Sequence, residues 1–161
     1  MISPESLRQY SYFAQLNEEQ LECLVESSTD LTLDPGSFLF HIDSNLVFFY
    51  LVEEGEFEVV FESPKLDTTS GAYGAPSQIQ QEIVVMSRVG PGEILGWSGL
   101  VQPFKATSGV RAKTRAKVWA FDCKKLLERF ETDCNFGYIM LHTAALVIGK
   151  RLQDIYKGGG S

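Results

Sequence analysis

The sequence predicts a mainly β domain with flanking helices: a barrel or roll of the jelly-roll kind, preceded by N-terminal helices and followed by a long C-terminal one. Three observations carry this. Helical periodicity occupies both ends of the chain, at 3–27 and 122–157. Between them lie short alternating or apolar runs, each closed by a turn signal. A glycine-bearing loop, PGEILGWSGLVQPFKATSGVRA over 91–112, interrupts the strands.

Taken in order, residues 3–16 form a helical lead-in with Tyr10, Phe13 and Leu16 available for packing. Asn17 and Gln20 have capping-box spacing, and the helix they open carries Leu21, Leu24 and Val25 on one face and ends near Ser27. Leu31–Leu33 is a short strand, Asp34-Pro35-Gly36 a turn, Ser37–Ile42 a strand and Asp43-Ser44-Asn45 a second turn. Leu46–Val52 is an apolar run of strand length. Glu53-Glu54-Gly55 is a tight hairpin, and Glu56–Glu62 alternates charge with Phe57, Val59 and Phe61.

Residues 63–80, rich in Ser, Thr, Gly, Pro and Ala, predict a long mobile hairpin loop, with Glu82–Val89 as its return strand. Gly109–Ala112 and Lys117–Phe121 are the last strands. Asp122 caps a helix through Phe130, and Thr132 or Asp133 caps another to about Lys157. The domain is therefore 1–157, and Gly158-Gly159-Gly160-Ser161 reads as an appended linker.

Composition limits the function. Of 161 residues, 44% are apolar and 22% charged, enough for one core without staples. Cys23, Cys123 and Cys134 are odd in number and irregular in spacing, so neither a disulfide framework nor a zinc site is indicated, and a reducing, cytoplasmic setting fits. Cys123 and Cys134 lie near helix starts, where a thiol pKa can be lowered, against the plainer reading of structural or incidental cysteines. No signal peptide or membrane-length apolar run is present. Net charge is −7, unevenly placed: residues 1–62 sum to −12 and 63–161 to +5. Overall acidity argues against direct nucleic-acid binding. The basic segment Lys105–Lys125 can still give the loop a local positive field.

Within that loop Gly92, Gly96 and Gly99 allow close backbone approach, Glu93 offers an acceptor, Lys105 a cation, and Thr107 and Ser108 hydroxyls. Two readings stand side by side: a small site for a polar anionic ligand, or a glycine-rich surface turn. Arg111, Lys113, Arg115 and Lys117 alternate and so share one strand face, solvated or contributing to a pocket. A metal-dependent roll enzyme needs clustered His and carboxylate ligands. His41 and His142 fall in different elements, and no nucleophile constellation emerges, so the reading is non-enzymatic.

The order helix, roll, glycine loop, two helices resembles a cyclic nucleotide-binding domain, and within that family the sensor half of bacterial catabolite activator and Fnr-type regulators, over roughly residues 6–156. Leu7–Leu24 resembles the N-terminal helical motif. Asp34-Pro35-Gly36 and Glu54-Gly55-Glu56 stand where the family has turn glycines, and Arg151-Leu152-Gln153-Asp154 resembles the end of its dimer helix.

The loop resembles the phosphate-binding cassette. The resemblance implies a ligand site of Gly92, Glu93, Ile94, Leu95, Gly96, Trp97, Ser98, Lys105, Ala106 and Thr107, with Glu93 accepting from a ribose hydroxyl and Lys105 at the position of the phosphate-pairing arginine. Lysine keeps the charge but loses the planar fork, at a cost of about 1–3 kcal/mol. Glu93 can instead bond turn amides, Lys105 can be solvated, and Trp97 can plug the core rather than stack on a base.

The resemblance implies a cytoplasmic ligand-sensing module with a cyclic nucleotide as allosteric ligand, no other cofactor and no membrane contact. The expected homodimer interface is Phe136, Ile139, Met140, Thr143, Leu146 and Val147, because the last helix is apolar on more than one face; the other reading is that the chain's own N-terminal helices cover that width. The chain stops before a helix-turn-helix could fit, so a removed DNA-binding half or a protein partner follows. The alternatives are a nucleotide-free dimerisation or docking scaffold and a sensor for a different anion, such as a nucleotide with another base or a small carboxylate.

Overall fold

The computed structural model describes residues 2–66 and 79–157. Helix α1 spans Pro4–Arg8, and a 3₁₀ turn Ser11–Phe13 leads to α2, Glu18–Glu26. Eight strands follow: β1 Ser28–Leu33, β2 Phe38–Phe40, β3 Phe48–Glu54, β4 Phe57–Leu66, β5 Ile79–Val89, β6 Ile94–Leu95, β7 Gly109–Ala112 and β8 Ala116–Asp122. A second 3₁₀ turn, Trp97–Leu100, follows β6, and α3 (Cys123–Thr132) and α4 (Cys134–Tyr156) close the chain. The strands pair as two antiparallel four-stranded sheets, β1-β8-β3-β6 and β2-β7-β4-β5. This is the mainly β roll with flanking helices that the sequence predicts.

Strand β3 shows how the roll holds two cores. Its apolar run is buried on both faces, as an uninterrupted hydrophobic strand requires. Phe49 and Leu51 face the helical core with Leu21, Leu24, Phe121, Leu126 and Phe136, whereas Tyr50 and Val52 face the roll interior with Phe57, Val110 and Val118. Gly55 closes the β3–β4 hairpin at φ +88°, a left-handed conformation that disfavours any side chain.

The helix caps act as tertiary ties. Asn17 Oδ1 accepts from the Gln20 N–H at 2.9 Å and Gln20 Oε1 from the Asn17 N–H at 3.0 Å. Gln20 Nε2 also donates to Asp133 Oδ2 at 3.1 Å, and Asp133 Oδ1 accepts from the Phe136 N–H, so the start of α2 holds the start of α4.

Three expectations are corrected. Strands β4 and β5 run to Leu66 and from Ile79, so residues 63–66 and 79–80 extend the ladder rather than belonging to the loop; 67–78 lie outside the described residues. The alternation over 56–62 holds: Phe57, Val59 and Phe61 face the roll interior and Val60 and Glu62 the side of Gly109, and the bulge opposite Val59 and Val60 places its extra residue, Met86, on β5. Phe61 opens onto the cavity and is 44% exposed, whereas Glu62, on the other face, is buried at 5%. Arg111 and Lys117 lie on β7 and β8, in different sheets, with a turn between them, so the four basic residues share no face. Arg111 pairs with Glu58 at 3.1 Å and Lys117 with Glu53 at 3.3 Å. Finally, burial pushes the Cys123 thiol up to about 12, the reverse of activation by a helix start.

Glu62 is the buried carboxylate of β4. It accepts from the Ile42 N–H at 2.8 Å and bonds His41 Nδ1 at 2.7 Å, and Gly109 makes room for it, since a Cβ there would stand 2.8 Å from Oε2. Burial would raise its pKa, but the bonds from His41 and Ile42 outweigh burial and lower it. A lowered folded-state pKa gives stability that is present above the ordinary carboxylate value and lost as pH falls through the folded one. Glu62→Gln is therefore expected to cost about 1–3 kcal/mol near neutrality, with a smaller gap at pH 3, read from urea denaturation at several pH values.

Candidate functional site

The loop over 91–112 is fastened before it reaches any ligand. Gly92, at φ +87°, donates to Val52 O at 2.8 Å, and the Val52 N–H donates to Glu93 O at 2.9 Å. Gly96, at φ +79°, passes so close to β3 that a Cβ would lie 3.2 Å from Phe48 O. Gly99 packs on Cys123, whose Sγ would be 2.7 Å from an added Cβ. The far limb is stitched to the second turn: the Leu46 N–H bonds Phe104 O, the Asp43 N–H bonds Ala106 O, and the Ala106 N–H bonds Ser44 O.

Behind this loop, inside the roll, is a cavity of about 380 Å³. Phe40, Val59, Phe61, Met86, Ser87 and Val110 line it from the strands; Leu46, Leu95–Ser98 and Ala106–Ser108 line it from the loops; Ile148, Arg151, Leu152 and Ile155 line it from α4. The size falls at the lower end of small-molecule sites, about 300–1,000 Å³. A second depression of about 430 Å³ lies outside the roll, between Asn45–Val47 and α3, and touches the loop only at Gly99, Pro103 and Phe104.

The structure brings some of the sequence-derived site residues to this cavity and not others. Leu95, Gly96, Trp97, Ser98, Ala106 and Thr107 line it, as does Ser108. Gly92, Glu93, Ile94 and Lys105 do not. The Glu93 carboxylate accepts from the Gly90 N–H at 2.7 Å, closing its own turn. Lys105 is exposed and takes part in a β-bridge with Asn45. Ile94 is buried in the helical core. Trp97 is only 2% exposed and stacks on Phe49 with ring centroids 5.1 Å apart, so one edge belongs to the core while the residue also walls the cavity. Its indole Nε1 is buried and has no hydrogen-bond partner among the described residues.

Arg151 is the wall residue the sequence reading left out of the site. Its Nη2 donates to the carbonyl of Ile94. Desolvation lowers its pKa, opposed by Glu93 and Tyr12 nearby. Burial raises the Tyr12 pKa, with Glu93 adding to the rise and Arg151 opposing it. The signal was present in the sequence: Phe136, Met140, Ala144 and Val147 are the buried stripe of α4, and the next step of that stripe is residue 151.

Three of the six residues expected at a dimer interface, Phe136, Met140 and Val147, are buried within the chain's own core, so that expectation is corrected for them. Ile139 packs partly on the same core, and Thr143 bonds the carbonyl of Ile139. Of the expected six Leu146 is exposed, and the other exposed large apolar residues of α4 are Tyr138, Leu141, Ile148, Leu152 and Tyr156. Among the described residues no group of three or more His, Cys, Asp or Glu side chains could hold a metal ion, and no helix is long and apolar enough to cross a membrane.

No curated protein matches the chain in sequence. A Geobacter metallireducens protein classed with the cyclic nucleotide-binding proteins superposes with a TM-score of 0.75 at 29% identity, covering 94% of this chain and 99% of that one. The N-terminal domain of a Streptomyces coelicolor transcriptional regulator gives 0.59 at 24% identity, covering 91% and 92%. The sensor domain of the regulator DNR from Pseudomonas aeruginosa gives 0.63 at 16% identity, covering 91% and 89%. The sequence model described as cyclic nucleotide-binding domain matches residues 30–133, which hold all eight strands except the first two residues of β1, together with the loop and α3. The chain belongs to the cyclic nucleotide-binding domain family.

Proposed function

We propose that the chain is a non-catalytic, ligand-sensing regulatory module, in which a small anionic ligand occupies the roll cavity and changes how α4 packs. The observation that carries this is the composition of the cavity wall: strands, cassette and the last turns of α4 all contribute. A ligand that fills it contacts the fixed roll and the helix together, so occupancy and helix position are linked as a population shift. The cyclic nucleotide of the family is the first candidate. Its phosphate would lie beside Thr107 and Ser108, and Glu93 would exchange its bond to the Gly90 N–H for a ribose hydroxyl. The free thiols of Cys23, Cys123 and Cys134 fit a reducing, cytoplasmic compartment.

Calorimetric titration with cyclic AMP and cyclic GMP tests the nucleotide. Saturable micromolar binding, weakened by Glu93→Ala, supports it. Weakening by Lys105→Ala as well would mean that Lys105 swings inward from its exposed position. The scaffold reading gains if no small anion gives heat or a shift in Tm.

The same helix supports a homodimer. Tyr138, Leu141, Ala145, Ile148 and Leu152 alternate in steps of three and four and are exposed, the spacing of a coiled-coil seam roughly a third of a turn from the buried stripe. Ile148 and Leu152 also line the cavity, so the seam and the ligand share two side chains. Light scattering is expected to show a dimer at tens of micromolar for the wild type and a monomer for Leu141→Glu; a wild-type monomer removes this part of the proposal.

A further inference from the structure

The cavity holds one charge, and that charge is not where the cassette would put it. Among the described residues that line it, Arg151 alone is ionisable. No carboxylate among the described residues is within ion-pair distance of its guanidinium, and its one hydrogen bond goes to the Ile94 carbonyl. An arginine has five N–H donors in a planar fork, so most of its capacity is unused. Arg151 also sits on the apolar stripe of α4, where the periodicity calls for a Leu or Val. Desolvation lowers its pKa, the mark of a cation held partly out of water. A half-buried cation that Glu93 stabilises only from beyond ion-pair distance is costly unless something else neutralises it.

The rest of the wall specifies what carries the neutralising group. Phe40, Leu95, Val110, Ile148, Leu152 and Ile155 are apolar, and the remaining polar lining is limited to the hydroxyls of Ser87, Ser98, Thr107 and Ser108. The chemistry on offer is a planar cationic fork, a few hydroxyls and a largely hydrocarbon chamber.

Resting on the reading of the cavity as the sensing site, we infer that the ligand is an amphipathic monoanion, an acid group on an apolar body, and that Arg151 rather than Lys105 is its anion anchor. The acid pairs with the Arg151 fork, and the body fills the roll against Phe40, Leu95 and Val110. Because Arg151 belongs to α4, the ion pair draws the end of the helix onto the roll. The charge of the ligand is thereby what α4 detects, and a neutral molecule of the same shape would fill the chamber without setting the helix.

The test compares decanoate with decanamide, its neutral counterpart, on wild type and Arg151→Gln, using calorimetry and Tm, with cyclic AMP run in parallel. Decanoate is expected to bind the wild type roughly tenfold to a hundredfold more tightly than decanamide, and Arg151→Gln to abolish that preference while retaining the decanamide affinity. The comparison on wild type needs no variant, so it holds if Arg151→Gln does not fold. Equal binding of decanoate and decanamide, or an unchanged preference in Arg151→Gln, overturns the anchor and leaves the cavity as the sensing site. Binding of cyclic AMP with decanoate inert likewise overturns the acid assignment alone. If decanoate, decanamide and cyclic AMP all fail to bind, both the inference and the sensing reading fall.

Discussion

Phe49→Ala is expected to cost about 3–5 kcal/mol, the range for emptying a buried aromatic position, and to lower Tm by roughly 10 °C or more. Phe49 is fully buried and stacks between Phe121, at 4.9 Å between centroids, and Trp97, at 5.1 Å. Phe121 lies opposite it on β8 and Trp97 follows β6, so one ring joins both strands flanking β3. The loss should reach beyond stability. Trp97 is a wall of the cavity, and without Phe49 behind it the indole has a void to move into. Phe49→Leu, which keeps most of the volume, is expected to recover more than half of the lost stability. Urea midpoints measure both variants, and equal losses for Ala and Leu would mean that the aromatic stack itself, rather than the volume Leu restores, carries the stability.

Gly55→Ala is expected to cost about 3 kcal/mol or more, against about 1–2 kcal/mol for Gly36→Ala. Both glycines have the same left-handed backbone, φ +88° and +86°. They differ in what surrounds them. A Cβ at Gly36 meets nothing within 4 Å, so only the backbone strain applies. A Cβ at Gly55 would stand 2.5 Å from the Arg115 carbonyl oxygen and 2.7 Å from the Ala116 Cβ, both on the turn entering β8. Backbone cannot rotate away as a flexible side chain can, so the β3–β4 hairpin and the start of β8 must separate. Denaturation of the two variants side by side isolates the contact from the strain, and equal losses would show that the turn adjusts freely.

Much of this fold is legible in the sequence, because local chemistry and tertiary structure agree there. Asn17, Asp122 and Asp133 each cap the helix their position predicts. Gly36, Gly55 and Gly92 turn the chain where turn chemistry places them. What escapes the sequence is whatever neighbouring elements supply. The alternation places Glu62 on the face away from the roll interior, yet the approach of His41, Ile42 and Gly109 decides that it is buried. The basic run 111–117 fails because a turn breaks its period.

The candidate site divides along similar lines. Leu95–Ser98 and Ala106–Thr107 reach the cavity because the cassette's glycines fix its course. Lys105 is kept at the edge because the Asn45 bridge and the bonds of Phe104 and Ala106 hold that limb against residues 43–46. The resemblance focuses attention on the cassette, whereas the charged wall residue arrives from α4. Its buried stripe, followed from Phe136 through Val147, leads to Arg151 without any structure in hand.

The measurement that tests the account most directly is amide hydrogen exchange with and without saturating ligand, using whichever of decanoate or cyclic AMP gives a saturable titration. Slowed exchange over residues 94–98 and 106–110 together with 147–156, and little change in β1, is the predicted result, because cassette, roll and the end of α4 share one chamber. Protection confined to the groove between Asn45–Val47 and α3, or a protected cassette with α4 unchanged, would contradict the claim that the cavity senses ligand through the helix. So would the absence of saturable binding by either compound.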